Sequence, residues 1–157
     1  MSRPRVYLAG PCAGLTYEVA MAWRLEVAPR LEAMGFEPVL PLVGEVALAG
    51  TGKPLSPLGE PGVKGCHGIE IFQRDMQLLW SCEYVLASLL GAKRISIGTV
   101  FELAAHWYRA LINDCSEDVP VVVMEPDNVH RHCFIEQSCY VVETMEQALA
   151  WFQRRAQ

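Results

Sequence analysis

The stretch VPVVVM at residues 119–124 decides the class of the fold. Its three successive valines, Val121, Val122 and Val123, make both faces of a strand apolar. A strand that is apolar on both faces is typical of a parallel sheet that carries helices on each side. The stretch therefore predicts a buried, parallel strand of an α/β protein.

Outward from this strand, further strand patterns alternate with helical ones. Besides 119–124, strands are predicted at residues 5–9, 84–90 and 140–142. Apolar residues three or four positions apart predict helices at residues 16–34, 69–80, 99–111 and 145–152. The run at 36–42 is a poor central strand because Pro38 and Pro41 interrupt it. This alternation predicts a three-layer α/β/α fold with a parallel, five-stranded sheet of the Rossmann or flavodoxin-like type.

The composition indicates one folded domain over residues 1–157. A chain of 157 residues with 52% hydrophobic and 20% charged residues is too apolar for a disordered protein. The formal net charge of −5 argues against binding to a nucleic-acid polymer, which requires a basic surface. Residues 43–68 are rich in Gly, Pro and Ser and are predicted to form a long loop. A small-molecule ligand suits this composition better.

Membrane insertion and metal binding are not expected. No apolar stretch approaches the roughly 20 residues that a membrane-spanning helix needs. The six cysteines include no CxxC pair and no secretory signal precedes them, which favours a reducing, cytoplasmic setting. The histidines and cysteine at 130–133 lack the usual spacing of zinc ligands. We therefore expect no metal and no cofactor.

Three loops are expected to surround the ligand. In parallel α/β sheets, ligands bind beyond the carboxyl ends of the strands, where the connecting loops lie. The candidates are the loops at 10–17, 91–99 and 125–138. The predicted substrate-binding residues in the first two loops are Gly10, Pro11, Ser96, Gly98 and Thr99.

The segment SIGTVFE at 96–102 permits two interpretations. Thr99 and Glu102 stand three residues apart, the spacing of a capping box in which each side chain binds the backbone N–H of the other. The same segment is expected at the carboxyl edge of the sheet, where the dipole of the following helix would keep Glu102 ionised as a nucleophile. Both interpretations stay open at this point.

Two further residues also have a structural and a functional interpretation. Asp75 is either a solvated charge on its helix, with Arg74 as a salt-bridge partner, or a carboxyl of the site. Tyr7 is either part of the core with a locally bonded hydroxyl or a site residue.

Several of these segments, taken in order, resemble the nucleoside 2-deoxyribosyltransferase family. They are VYLAGP at 6–11, the Arg74-Asp75 pair, VLASLLGA at 85–92, SIGTVFELA at 96–104 and the valine strand that follows. The resemblance extends over about residues 5–142, and its most specific part is the Gly-Thr-x-x-Glu sequence that ends at Glu102.

The resemblance implies a role for each of three residues. Glu102 would attack C1′ of the 2-deoxyribosyl group and form a covalent sugar ester. Asp75 would hydrogen-bond the base and handle its proton, and Tyr7 would steady the nucleophile. Retaining glycosidases also use two carboxyl groups, one as the nucleophile and one as the acid and base.

The resemblance also implies a homo-oligomer with shared active sites. Asn128 or Ser138 would then complete the pocket of a neighbouring subunit, and Trp107 and Tyr108 could supply an apolar interface.

One departure from the family leaves the substrate open. Many of the transferases carry an aspartate six residues before the nucleophile, where this chain has Ser96. At that position the chain is more similar to the branch that hydrolyses nucleoside 5′-monophosphates, because a neutral hydroxyl near a helix N-terminus can accommodate a phosphate. The leading hypothesis is a deoxyribosyltransferase. The alternatives are a nucleoside 5′-monophosphate N-glycosidase and a non-catalytic nucleotide-binding module.

Overall fold

The fold is known from a computed structural model, which describes residues 2–114 and 118–156. Its five strands form one parallel sheet in the order β2-β1-β3-β4-β5. The strands are β1 Arg5–Ala9, β2 Glu37–Val39, β3 Tyr84–Ser88, β4 Val121–Val123 and β5 Tyr140–Val142. The α-helices are α1 Tyr17–Ala33, α2 Gly68–Trp80, α3 Ile97–Ile112, α4 Cys133–Ser138 and α5 Met145–Arg155. The predicted flavodoxin-like sheet is confirmed.

Alternating side chains of the strands build a core on each face of the sheet. On β1, Val6 and Leu8 pack with residues of α1 and α5, whereas Tyr7 and Ala9 pack with residues of α2, α3 and α4. Helices therefore cover both faces, which confirms the predicted three layers.

The long segment at 43–68 is anchored to the rest of the chain. A 3-10 helix, Pro41–Leu48, occupies its first part. Farther along, Leu55 is buried, and its N–H donates to the carbonyl oxygen of Leu15 at 2.7 Å while its own carbonyl accepts from Gly14 N–H at 2.8 Å. These bonds fix the segment to the loop between β1 and α1.

The strand order places a switch point between β1 and β3, where open α/β sheets form a crevice. The chain leaves β1 through α1 on one face and enters β3 through α2 on the other, so the connections diverge where these two strands pair. Ligands of open α/β sheets bind at such a switch point.

No helix in the described part of the chain combines the length and apolar character that a bilayer span requires.

Candidate active site

Tyr7 and Glu102 meet inside this crevice. Tyr7 is fully buried on β1 and points toward the α2–α3 layer. Its hydroxyl donates a hydrogen bond of 2.6 Å to Oε1 of Glu102, which lies on the second turn of α3. The structure thus brings together two residues that are 95 positions apart in the sequence.

Burial dominates the electrostatics of Glu102. Desolvation raises the pKa of its carboxyl to about 7, and the nearby charge of Asp75 acts in the same direction. The hydrogen bond from Tyr7 and the charge of Arg24 oppose this rise. The expectation that the helix dipole keeps Glu102 ionised is therefore wrong. Glu102 is beyond the first turn of α3, where the dipole acts most strongly.

The capping-box interpretation of Thr99 and Glu102 is also wrong. Helix α3 begins at Ile97, so Ser96 is its N-cap residue and Thr99 lies inside the first turn. Thr99 is buried, and its Oγ1 is 2.9 Å from Oγ of Ser96. Because the helix starts two residues earlier than predicted, Glu102 is too far along it to reach the backbone N–H of a cap.

Asp75 lies on α2 beside Arg74 and faces the same crevice. Its Oδ1 is 3.3 Å from Nε of Arg74, and its side chain is only 18% exposed, so the solvated-charge interpretation is wrong. Both atoms are buried, and apart from this ion pair with each other neither has a hydrogen-bond partner among the described residues. Burial raises the pKa of Asp75 to about 6, and the charge of Arg74 limits the rise.

Arg24 is a buried cation of the site that the sequence interpretation missed. It is 1% exposed and donates hydrogen bonds to the carbonyl oxygens of Leu8, at 2.9 Å, and Gly10, at 3.1 Å, and also to that of Ala20. Its charge lowers the pKa of both Glu102 and Asp75. Its position four residues after Ala20 on the buried face of α1 was an available signal.

Glu45, in the 3-10 helix, is a third carboxyl that the sequence interpretation missed. Its Oε1 accepts a hydrogen bond of 3.1 Å from Nη2 of Arg74, whose Nη1 donates to the carbonyl oxygen of Gly65 at 2.7 Å. Burial, together with the charge of Asp75, raises the pKa of Glu45 to about 7. Arg74 therefore links segment 43–68 to Asp75. Within residues 2–114 and 118–156, no three His, Cys, Asp or Glu side chains are grouped as metal ligands.

The predicted substrate-binding residues of the first two loops lie at the carboxyl edge of the sheet. Gly10 is buried directly after β1, and a Cβ there would be 3.0 Å from the carbonyl oxygen of Ser88 at the end of β3. Pro11 follows and is half-buried. Ser96 caps the start of α3, and Gly98 is exposed one residue into it.

The two candidates of the third loop are placed differently from the expectation. Asn128 is buried, and its amide nitrogen donates to Leu89 and Glu125 while its amide oxygen accepts from His130. These bonds give Asn128 a structural role inside the subunit, and its contact with a neighbouring subunit stays a prediction. Ser138 ends α4 directly before β5, at the amino edge of the sheet, and donates to the carbonyl oxygen of Phe134. It therefore lies on the edge opposite the crevice.

This arrangement suits chemistry that needs two carboxyl groups in different states. The phenol donor on Oε1 of Glu102 and the charge of Arg74 beside Asp75 each favour the anion of the carboxyl that they contact, whereas burial favours the protonated form of both and raises their pKa to about 7 and about 6. Near neutral pH the crevice therefore holds both ionised and protonated carboxyl groups. An anion and a proton donor that share a crevice can attack one side of a bond and protonate the other.

Comparison with solved structures shows that the fold is similar to that of a known enzyme. A 2-deoxyribosyltransferase from the psychrotolerant bacterium Bacillus psychrosaccharolyticus superposes with a TM-score of 0.60 and 14% sequence identity, over 92% of this chain and 90% of that one. No protein-family model matches the sequence. A search of curated proteins found no match either. The resemblance predicted from the sequence is thus confirmed as a structural one: this chain has the fold of a 2-deoxyribosyltransferase.

Proposed function

We propose that the protein cleaves the N-glycosidic bond of 2′-deoxynucleosides and transfers the deoxyribosyl group to another base. The observation that carries this proposal is the 2.6 Å hydrogen bond from Tyr7 to Glu102 in a crevice that also contains Asp75. The fold of the similar 2-deoxyribosyltransferase supports the same choice of substrate.

In the proposed first step, Glu102 is the nucleophile. Tyr7 binds Oε1, and Oε2 forms a bond to C1′ as the bond from C1′ to the base nitrogen breaks. The sugar passes through a transition state that resembles an oxocarbenium ion, and the adjacent carboxylate stabilises this cation. The electron pair of the broken bond stays on the base, and Glu102 becomes a covalent sugar ester.

Asp75 acts on the departing base. Its pKa of about 6 leaves a protonated fraction near neutral pH, so it can give a proton to the base nitrogen as the bond breaks. In the second step an acceptor base attacks C1′, loses its proton to Asp75 and releases Glu102. The charge of Arg74 adjusts the proton affinity of Asp75. No cofactor takes part in the proposed cycle.

We extend the proposal to a homo-oligomer with shared active sites. Large apolar side chains lie exposed on α2 and α3, among them Ile69, Phe72, Phe101 and Tyr108. The rings of Phe72 and Phe101 are 6.1 Å apart, so the two helices present one apolar surface. Since the same helices carry Asp75 and Glu102, a second copy on this surface would lie beside the site. Trp107 is half-buried and contributes less than Tyr108.

Chromatography of the products formed from deoxynucleosides, with and without an acceptor base, tests the proposed reaction. We expect a new deoxynucleoside only when acceptor is present, and no product from Glu102→Ala. Glu26→Ala, on the exposed side of α1, is a control that should keep full activity. Full activity of Glu102→Ala would refute the role of Glu102.

The structure also favours a second candidate, hydrolysis of nucleoside 5′-monophosphates by the same Glu102. The guanidinium of Arg94 lies against the backbone of Gly14. This contact joins two of the three loops at the carboxyl edge, 10–17 and 91–99. No ion pair to Arg94 occurs in the described part of the chain, so its guanidinium is free to bind a phosphate next to Ser96.

The same product analysis distinguishes this candidate. Release of free base from monophosphates alone would establish it, and Arg94→Gln should then raise KM more than Lys93→Gln does. Binding of nucleotides without any turnover would instead favour a non-catalytic nucleotide-binding module.

A further inference from the structure

A hydrogen-bonded network in the loop after β4 holds the connection between β3 and α3. Asn128 and His130 are 7% and 3% exposed. Glu125 accepts from the N–H of Gly91 at 2.6 Å, and the Asn128 amide donates to the carbonyl oxygen of Leu89 at 2.7 Å. These two bonds fix the beginning of the connection, at Leu89 and Gly91.

His130 binds the end of the connection. Nε2 of His130 accepts a hydrogen bond of 2.8 Å from the backbone N–H of Ser96, the N-cap residue of α3. The loop after β4 therefore touches the β3–α3 connection at both ends. This connection precedes the helix that carries Glu102.

The partners of Asn128 determine which nitrogen of His130 carries the proton. Leu89 and Glu125 offer only acceptor oxygens, so the amide nitrogen of Asn128 faces them. The amide oxygen then faces His130, where it accepts from the backbone N–H at 3.0 Å and from Nδ1 at 2.9 Å. Nδ1 consequently bears the hydrogen, and Nε2 keeps the lone pair that binds Ser96.

We propose that His130, as the neutral Nδ1–H tautomer, is a positioning residue that fixes Ser96 and the first turn of α3 for substrate binding. The part of this inference that concerns catalysis rests on the proposed function. Burial lowers the pKa of His130, which agrees with a neutral ring. Because Tyr7 holds Glu102 separately, loss of His130 acts on binding at Ser96 more than on the nucleophile.

Two variants separate the acceptor role from a general packing role. His130→Phe removes the acceptor, whereas His130→Gln keeps an oxygen near the position of Nε2. We expect His130→Phe to speed amide hydrogen exchange at Ser96 and to raise KM about fivefold, the effect of one lost neutral hydrogen bond, with a smaller change in kcat. His130→Gln should restore most of the protection and most of the KM. Equal exchange at Ser96 in wild type and His130→Phe would overturn the proposal, as would equal effects of the two variants.

Nitrogen NMR of the wild-type imidazole provides a test that needs neither a variant nor activity. A protonated Nδ1 and an unprotonated Nε2 at neutral pH are expected. The opposite tautomer would overturn the proposal even if both variants fail to fold. Absence of turnover in the wild type would refute the proposed function, whereas the exchange and NMR results would still decide the role of His130.

Discussion

At the scale of single residues, the short bond between Tyr7 and Glu102 controls when the nucleophile is charged. The phenol stabilises the carboxylate and so lowers its pKa. Tyr7→Phe should raise that pKa and move the acidic limb of the kcat profile to higher pH, with a loss of roughly tenfold at neutral pH. Tyr84→Phe, whose ring packs on the opposite face of the sheet, is the control. An unshifted acidic limb in Tyr7→Phe would contradict this assignment.

The buried carboxyl of Glu102 also makes stability depend on pH. Its pKa is raised on folding, so between about pH 4.5 and 7 the folded state binds more protons than the unfolded state, and the free energy of unfolding falls as pH rises. A pKa of about 7 instead of 4.5 corresponds to roughly 3 kcal/mol. Glu45 and Asp75 act with the same sign. Urea titrations across this range should show a weaker decline for Glu102→Gln; an unchanged slope would argue against a buried carboxyl.

At the scale of elements, Arg74 packs closely against the 3-10 helix because residue 44 is a glycine. A Cβ on Gly44 would overlap the guanidinium of Arg74. Gly44→Ala should therefore displace Arg74 from Glu45 and Asp75 and lower kcat. Gly62→Ala, in the same segment but with open space around its Cα, should be neutral in activity and thermal unfolding. Equal behaviour of the two variants would refute the tight contact at Gly44.

At the scale of the whole molecule, both faces of the sheet expose large apolar side chains, and on the α2–α3 surface two of them, Phe72 and Phe101, contact each other. The α2–α3 surface includes Phe101, which is 52% exposed, while α1 on the other face exposes Leu25 at 59%. Phe101→Asp should shift sedimentation equilibrium from an oligomer to a single copy, because a charge cannot be buried unpaired in an apolar interface. Leu25→Asp should leave the oligomer intact. A wild-type chain that sediments as a single copy would contradict the proposed assembly.

The sequence by itself determined the order of strands and helices, because burial on a sheet face or a helix face repeats with a local period. It also identified Tyr7, Asp75 and Glu102 as candidates through the motifs that contain them. Only the tertiary structure decided how they meet, since contacts across 95 residues depend on the order of the strands. The start of α3 was mispredicted because Thr99 and Glu102 have the spacing of a cap without its position.

The buried charges depend even more on tertiary structure. Arg24 and Glu45 are tolerated in the interior because distant carbonyl groups and Arg74 surround them, and no local pattern in the sequence records those partners. The same holds for Asn128, whose amide is satisfied by Leu89 and Glu125 inside the subunit. Local periodicity therefore determines which elements form, whereas the charge state of the site is set by burial and by partners that only the assembled sheet brings together.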